Sequence, residues 1–345
     1  MRKAMYLGAG LVLFLASVTR AQGTANNCPP GSVTTIGGLQ VPDRSRASQD
    51  ACQMAVDVFQ LMTPQLGLAL AGGNATLGRG STLGPGHFSI GLRANVFNGD
   101  LPDIGAFPTP GAQGRVQRTG ANALPAEEQI VGLPTADAEV GIFGGVPLGL
   151  TSVLGVDLLL SATYVPTIGE AGDEIRIEPD RNLQLGYGVR VGLLQESIVV
   201  PGLSFTYLKR DLPTTTISGT SSNIDVDIRD VRVKTSAYRL VASKSLMLLG
   251  LAAGVGRDTY DQSANIQATV RNTPIGAQTS DVVPLSQELT RTNYFLDVSL
   301  NLPVVKLIGE VGQVTGGTVD TFNEFQTGRA DKARTYGSVG IRIGF

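Results

Sequence analysis

The chain has no tryptophan, a single histidine and two cysteines, and charged residues make up only 16 % of its 345 positions. One histidine excludes an HExxH metalloprotease helix. Two cysteines and one distant histidine cannot complete a zinc shell, so no metal is expected. Gly78-Arg79-Gly80 is not followed by the Lys-Ser/Thr of a phosphate-binding loop, and no cofactor is expected either. No cluster of Lys or Arg marks a nucleic-acid surface. Beyond the first twenty residues there is no apolar run long enough for a transmembrane helix.

The beginning reads as a secretory signal peptide. Arg2 and Lys3 precede an apolar run from Ala4 to Val18, and Thr19-Arg20-Ala21 places cleavage after Ala21. Without Arg2, Lys3 and Arg20 the tally is 24 bases against 29 acids, a net charge of −5. A mildly acidic exported chain is a poor partner for nucleic acid. Export also sets the redox environment, in which Cys28 and Cys52 are placed to pair.

Residues 22–46 are rich in Pro, Gly, Thr and Asn and read as irregular. From Ser48 to Met62 the apolar residues Ala51, Ala55, Val58, Phe59 and Met62 recur at helical spacing, with Asp50, Gln53, Asp57 and Gln60 between them. Ser48 is placed as an N-cap and Pro64 as a stop. A glycine-rich stretch comes next, from Gln65 to Pro85. Residues 22–85 are therefore expected to form a disulfide-closed segment with one amphipathic helix, which either plugs the strand-rich remainder of the chain or caps it from the periplasm.

From His87 to the end, period-2 alternation dominates. Ten strands are expected, with a range of eight to fourteen. The first sets Phe88, Ile90, Leu92, Ala94 and Val96 against Ser89, Gly91, Arg93 and Asn95. Comparable segments run near 136–142, 154–164, 183–193, 203–207, 226–242, 246–255, 291–300 and 305–311. In the sixth the phase slips near Thr235, where a bulge is expected. Asp225-Val226-Asp227-Ile228-Arg229-Asp230 lacks the turn glycine and final Glu of a calcium loop and reads as the end of that strand.

The gaps alternate. Long ones fall near 97–134, 167–181, 211–225, 258–290 and 316–332, and short ones near 146–152, 195–201, 243–245 and 302–303. The loops 97–134 and 263–290 have room for further hairpins. Long loops at one end and tight turns at the other are the asymmetry of a membrane barrel, whereas a soluble sandwich gives no reason for it. With both termini on the short-turn side, the strand number is even. The seven tyrosines outside the signal lie in or beside strands, where an interfacial girdle would put many of them, although Tyr336 has inward parity.

The last strand, Thr335 to Phe345, carries Val339, Ile341, Ile343 and Phe345 on one face and Ser338, Gly340, Arg342 and Gly344 on the other. It resembles the closing strand of Gram-negative outer-membrane β-barrel proteins, whose terminal Phe is part of the signal read by the barrel-assembly machinery. The resemblance implies an all-β, antiparallel up-and-down barrel in the bacterial outer membrane. It also implies outer-membrane lipid and that machinery as partners, with Ile341, Ile343 and Phe345 as the assembly signal. Gly72-Gly73-Asn74-Ala75-Thr76-Leu77-Gly78-Arg79-Gly80 looks like the amino-terminal plug of the outer-membrane fatty-acid and hydrophobic-compound transporters. Members of that family pass apolar ligands through a plugged barrel and out sideways into the membrane. The family's Asn-Pro-Ala signature is absent here, and ten strands is fewer than its fourteen.

If the apolar faces meet lipid, the opposite faces carry Arg93, Glu139, Asp157, Arg190, Asp297, Lys306, Glu310 and Arg342. Four are basic and four acidic, so salt bridges across the interior are expected. Small barrels are packed and wide channels need about 16 strands, so these charges either form a constriction or hold the wall together. The leading expectation is a passive transporter or channel for small molecules, with a small apolar ligand as the favoured solute. The alternatives are a closed structural or surface-interaction barrel and, resting on His87 with Ser89 alone, a membrane-lipid hydrolase. No catalytic residue is assigned and the chain is not expected to be an enzyme, because an orienting acid and an oxyanion site are missing from the sequence around that pair.

Overall fold

The computed structural model describes residue 28 and residues 35–36, 39–40, 45–112, 114–169, 174–271, 273 and 276–344. The signal segment 1–21 and Phe345 lie outside the described residues.

Ten antiparallel strands close into a barrel: β1 (Phe88–Pro102), β2 (Ala126–Phe143), β3 (Gly155–Tyr164), β4 (Leu183–Leu194), β5 (Gly202–Asp211), β6 (Ile224–Leu246), β7 (Leu249–Val270), β8 (Val283–Asn301), β9 (Val305–Val314) and β10 (Arg334–Gly344). Each pairs with its neighbours in the chain. Closure comes from β10 against β1, in register from Gly344↔Ser89 to Tyr336↔Phe97. No strand edge is left for lipid, which is the condition for a sheet to cross a bilayer. The connections alternate as expected, with short turns at 247–248 and 302–304 and long loops at 103–125 and 315–333.

The outward face is apolar at one level. Leu92, Leu185, Leu296, Val339 and Ile341 are 66 %, 71 %, 49 %, 63 % and 52 % exposed, a band that only hydrocarbon makes stable. Ile343 shares that outward face. On β8 the band runs from Tyr294 to Leu300 and on to Leu302 in the next turn, roughly 20 Å once strand rise and tilt are applied. Tyr164, Tyr187, Tyr238 and Tyr294 are exposed at its upper edge, toward the long loops, and the Tyr207 and Tyr238 rings sit 5.1 Å apart between their centroids. These form the aromatic girdle. Tyr260 and Tyr336 are not part of it; both point inward and are buried.

Five strands, β1, β2, β6, β7 and β8, are longer than their apolar outer faces. β6 and β7 hold 23 and 22 residues, against the 9–11 that a tilted strand needs to span a bilayer. Above the tyrosines the two faces exchange character. On β7, Arg257, Thr259, Asp261 and Ser263 face outward while Ala264, Ile266, Ala268 and Val270 are buried inside. The wall thus continues past the membrane as a water-facing crown with its own apolar core. The stretches with room for further hairpins, 97–134 and 263–290, hold the upper parts of β1, β2, β7 and β8, paired in register, and in the second a two-residue strand, Gln278–Thr279, folds back to pair with Thr269 and Val270. The bulge in β6 lies between Arg229 and Arg232, not near Thr235, and Asp230 there takes φ 53°, which Asp tolerates well. The run Asp225–Asp230 is the strand end expected, with Asp227 paired to Arg229 and Asp225 to Arg271.

The helix α1 (Ser45–Ala71) lies inside the barrel. It is longer than its periodic pattern predicts, because Pro64 does not end it. Side-chain donors serve the carbonyls around the gap that proline leaves: Thr63 Oγ1 donates to Phe59 O at 2.9 Å and Gln65 Nε2 to Leu61 O at 2.8 Å. Burial of Leu68, Leu70 and Ala71 then favours continuation. At Gly67 the helix presses on β7, where a Cβ would come within 2.6 Å of the Tyr260 ring. Gly67→Ala gains helix propensity of about 1 kcal/mol but overpacks a rigid ring at a cost of about 1–3 kcal/mol. A net destabilisation is expected, measured as a lower denaturation midpoint by circular dichroism.

The barrel strands do begin and end at the short-turn side, but the amino end of α1 sits among the long loops. Cys28 is joined there to Cys52 by a disulfide, and its carbonyl accepts from Gln49 Nε2 at 2.8 Å. From that mouth the chain runs down the lumen through α1 and residues 72–85, and only then turns into β1.

Candidate functional site

The lumen is the site, and it has two levels. At the upper level the polar stripe of α1 meets loops instead of water, though residues 50–61 are all buried. Asp50 accepts from Gly111 N at 2.7 Å and Val116 N at 2.8 Å, and takes both terminal nitrogens of Arg118 at 3.1 and 2.6 Å. Such a bidentate pair fixes direction as well as charge. Seven residues on, Asp57 accepts from Phe322 N at 2.9 Å, Asn323 N at 3.1 Å and Asn323 Nδ2 at 2.6 Å. The two long loops are then tied together by Arg118 N to Asn323 Oδ1 at 2.9 Å. The periodic pattern marks these helix positions as polar but does not say that they are lid anchors.

Asp57 lies well beyond the girdle, since Gly67 already packs at Tyr260, above it, and ten helical residues span about 15 Å. Burial pushes its carboxyl up to about 7, against the pull of the donated hydrogen bonds. A raised carboxylate gives stability that is complete below its unfolded value near 3.8 and lost as pH rises through about 7. Amides of residues 320–324 are therefore expected to lose hydrogen-exchange protection, beyond the intrinsic rate change, between pH 5 and 8. Asp57→Asn should flatten that dependence.

At the lower level the wall grips the main chain of residues 69–83. The helix ends with unmet carbonyls, and cations at that end also suit its dipole. Arg210 Nη1 donates to Leu70 O at 3.1 Å; Arg239 donates to Ala71 O and, through Nε, to Gly73 O at 2.8 Å. Arg239 is also paired with Asp258, and Arg210 with Asp137 at 2.8 Å. Gly73 has φ +83°, and a Cβ there would sit 2.0 Å from Glu310 Oε1, so any other residue strains the backbone and displaces that carboxylate.

The eight residues read as lining the interior are on the inward face of their strands, and seven of them are buried. Arg93 Nη1 donates to Asn74 O at 2.9 Å, Arg342 Nη1 to Leu77 O at 2.7 Å and Arg190 Nη1 to Ser81 O at 3.1 Å. Glu310 accepts from Asn74 N at 2.7 Å; Asp297 accepts from Asn74 Nδ2 and Gly78 N, both at 2.8 Å; Asp157 accepts from Leu83 N at 3.1 Å. Glu139 pairs with Arg190. Lys306 is half-buried and stands apart, on a cavity of about 420 Å³ at the short-turn mouth. Alternation alone places these charges inside. It does not single out Arg210, Arg239 and Asp258, because the pattern-based ends of their strands or their polar neighbours obscure the inward face.

His87 is exposed just before β1, and the Ser89 hydroxyl donates to Glu139 at 3.1 Å. No group of three or more metal-ligating side chains occurs among the described residues.

The sheet closure, the apolar outer band and the girdle together define an outer-membrane β-barrel with a filled lumen. No protein-family model matches the chain, and no curated protein matches it in sequence. Solved structures with a similar architecture include the toluene transporter TodX of Pseudomonas putida, at 12 % identity and a TM-score of 0.30 over 80 % of this chain and 95 % of that one. They also include the transport unit of the autotransporter AIDA-I from Escherichia coli, at 8 % identity and a TM-score of 0.34 over 87 % and 99 %. The translocator domain of the autotransporter NalP from Neisseria meningitidis matches at 9 % identity and a TM-score of 0.32 over 76 % and 89 %.

Proposed function

We propose that the protein is a passive outer-membrane transporter or channel for small molecules, in which α1 and residues 72–85 act as a plug. The observation that carries this reading is how the lower segment is held. The wall bonds mainly to its backbone, at Leu70, Ala71, Gly73, Asn74, Leu77, Gly78, Ser81 and Leu83. The β-ladder that keeps the barrel closed is separate from these contacts. Water can replace them without opening the wall, so the plug can leave while the barrel stays.

The crown favours an apolar solute. Ile224, Val226, Ile228, Val233, Ile266 and Leu285 pack around α1 and would line the upper passage once the helix shifts. The test is uptake of a small apolar solute into proteoliposomes. Entry faster than into empty vesicles is expected; identical rates would remove the transport reading.

A second reading has its own support. The disulfide and the Asp50 and Asp57 anchors fix the upper part of α1 to the external loops, as a permanently closed barrel with a surface role would require. That reading predicts that trimming 103–125 leaves folding intact and abolishes partner binding. In both readings the chain is not an enzyme, its assembly depends on the barrel-assembly machinery acting on its last strand, and cleavage after Ala21 precedes insertion.

A further inference from the structure

The inward face carries two pairs of like charges directly across neighbouring strands, where like charges repel most. One is acidic: Asp297 on β8 opposite Glu310 on β9. The other is basic: Lys306 on β9 opposite Arg342 on β10. The acidic pair is answered by the plug, which donates Asn74 N, Asn74 Nδ2 and Gly78 N to it. The basic pair is not answered in this way. Arg342 finds one carbonyl, Leu77 O, while its Nη2 is buried without a partner. Lys306 has no hydrogen bond or ion pair among the described residues.

A third cation joins them. Arg79, in the plug, lines the 420 Å³ cavity together with Lys306, Ser81, Ser243 and Ser245. Its one ionic contact is Glu139 at 3.7 Å, a carboxylate already held by Arg190, and its Nη1 is buried without a hydrogen bond. The remaining acid of the cavity, Glu196, is occupied by Ser245 N and by Ser243 Oγ at 3.3 Å. The cavity opens at the short-turn mouth, so a solute reaches it from the periplasm with the plug in place.

We propose that this mouth is a binding site for a small oxyanion, carboxylate or phosphate, held between Lys306 and Arg79, with Arg342 beside Lys306 on the neighbouring strand. Donors on three separate segments, Lys306 on β9, Arg79 in the plug and Ser243 and Ser245 on β6, line one polar, water-accessible space, and an anion there offsets the repulsion between Lys306 and the neighbouring Arg342. The hydroxyls of Ser81 and Ser245 add neutral donors at the rim. The site does not depend on transport, because it is complete while the barrel is closed.

The experiment is calorimetric titration of the full chain in detergent with inorganic phosphate, and separately with acetate, at fixed ionic strength. Saturable one-to-one binding of at least one of them is expected. Lys306→Gln and Arg79→Gln should each weaken it at least tenfold. Arg79→Gln changes only the plug, so it keeps the test valid if the wall variant folds poorly. Phosphate binding tighter than acetate would identify a dianion as the occupant, and equal binding a simple carboxylate; either result sustains the site. Absence of saturable binding to both anions, or unchanged affinity in both variants, overturns it.

Discussion

Arg239→Ala is expected to destabilise the protein by about 3–5 kcal/mol, the range for removing one partner of a buried pair. Arg239 is 1 % exposed and its partner Asp258 is fully buried. The substitution leaves that carboxylate without its cation and frees the carbonyls of Ala71 and Gly73 at once. Asn293 Nδ2, at 3.4 Å, is too distant to compensate. Because those carbonyls belong to the junction of α1 with the lower segment, the loss should loosen the plug before the wall. Denaturation followed by circular dichroism should show the lower midpoint, and planar bilayers should show intermittent openings absent from the parent. The double variant Arg239→Met, Asp258→Leu should recover much of the stability, since an apolar pair of similar volume leaves no buried charge. Unchanged stability in the single variant would mean that water already enters the pair.

Removal of the disulfide is the second large effect. Cys28 and Cys52 are 24 residues apart, and closing such a loop stabilises by about 3.5 kcal/mol on the chain-entropy model. The bond acts at the long-loop mouth, where Asp50 and Asp57 already dock α1 to two loops. Cys28→Ser with Cys52→Ser should therefore release the upper end of α1 and spare the barrel. Hydrogen exchange should rise in residues 46–57 and in 111–118 and stay constant in β9 and β10. Uniform exchange across all of these segments would show that the anchors, not the disulfide, set the local stability.

The contrast between the pattern and the fold has a physical origin. Where a strand crosses lipid, its outer face must be apolar, and there alternation finds it: Phe88 to Val96, Leu183 to Leu193 and Thr335 to Gly344 read directly. Above the girdle the solvent outside is water and the apolar face turns inward. Period-2 reading then meets the same alternation with its meaning reversed, which is why the upper parts of β1, β2, β7 and β8 look like loops. Pro64 misleads in the same manner, because the donors that sustain the helix, Thr63, Gln65 and the packing against Tyr260, are tertiary.

The eight inward charges follow from parity alone. What they touch does not, since six of them bond to backbone atoms of residues 74–83, and a main-chain amide or carbonyl has no signature in a sequence. The glycines of that segment are the residue-level trace. Gly73 suits glycine because its φ is positive and the Glu310 carboxylate lies where a Cβ would be.

The central claim is that residues 45–83 close an otherwise continuous passage. Single-channel conductance in planar bilayers tests it most directly, comparing the full chain with a variant lacking that segment and still migrating as a folded barrel. The account predicts silence or rare openings from the full chain and steady conductance from the variant. Silence from both would contradict it, because the ten-stranded wall would then be closed by its own side chains and the luminal segment would not be a plug.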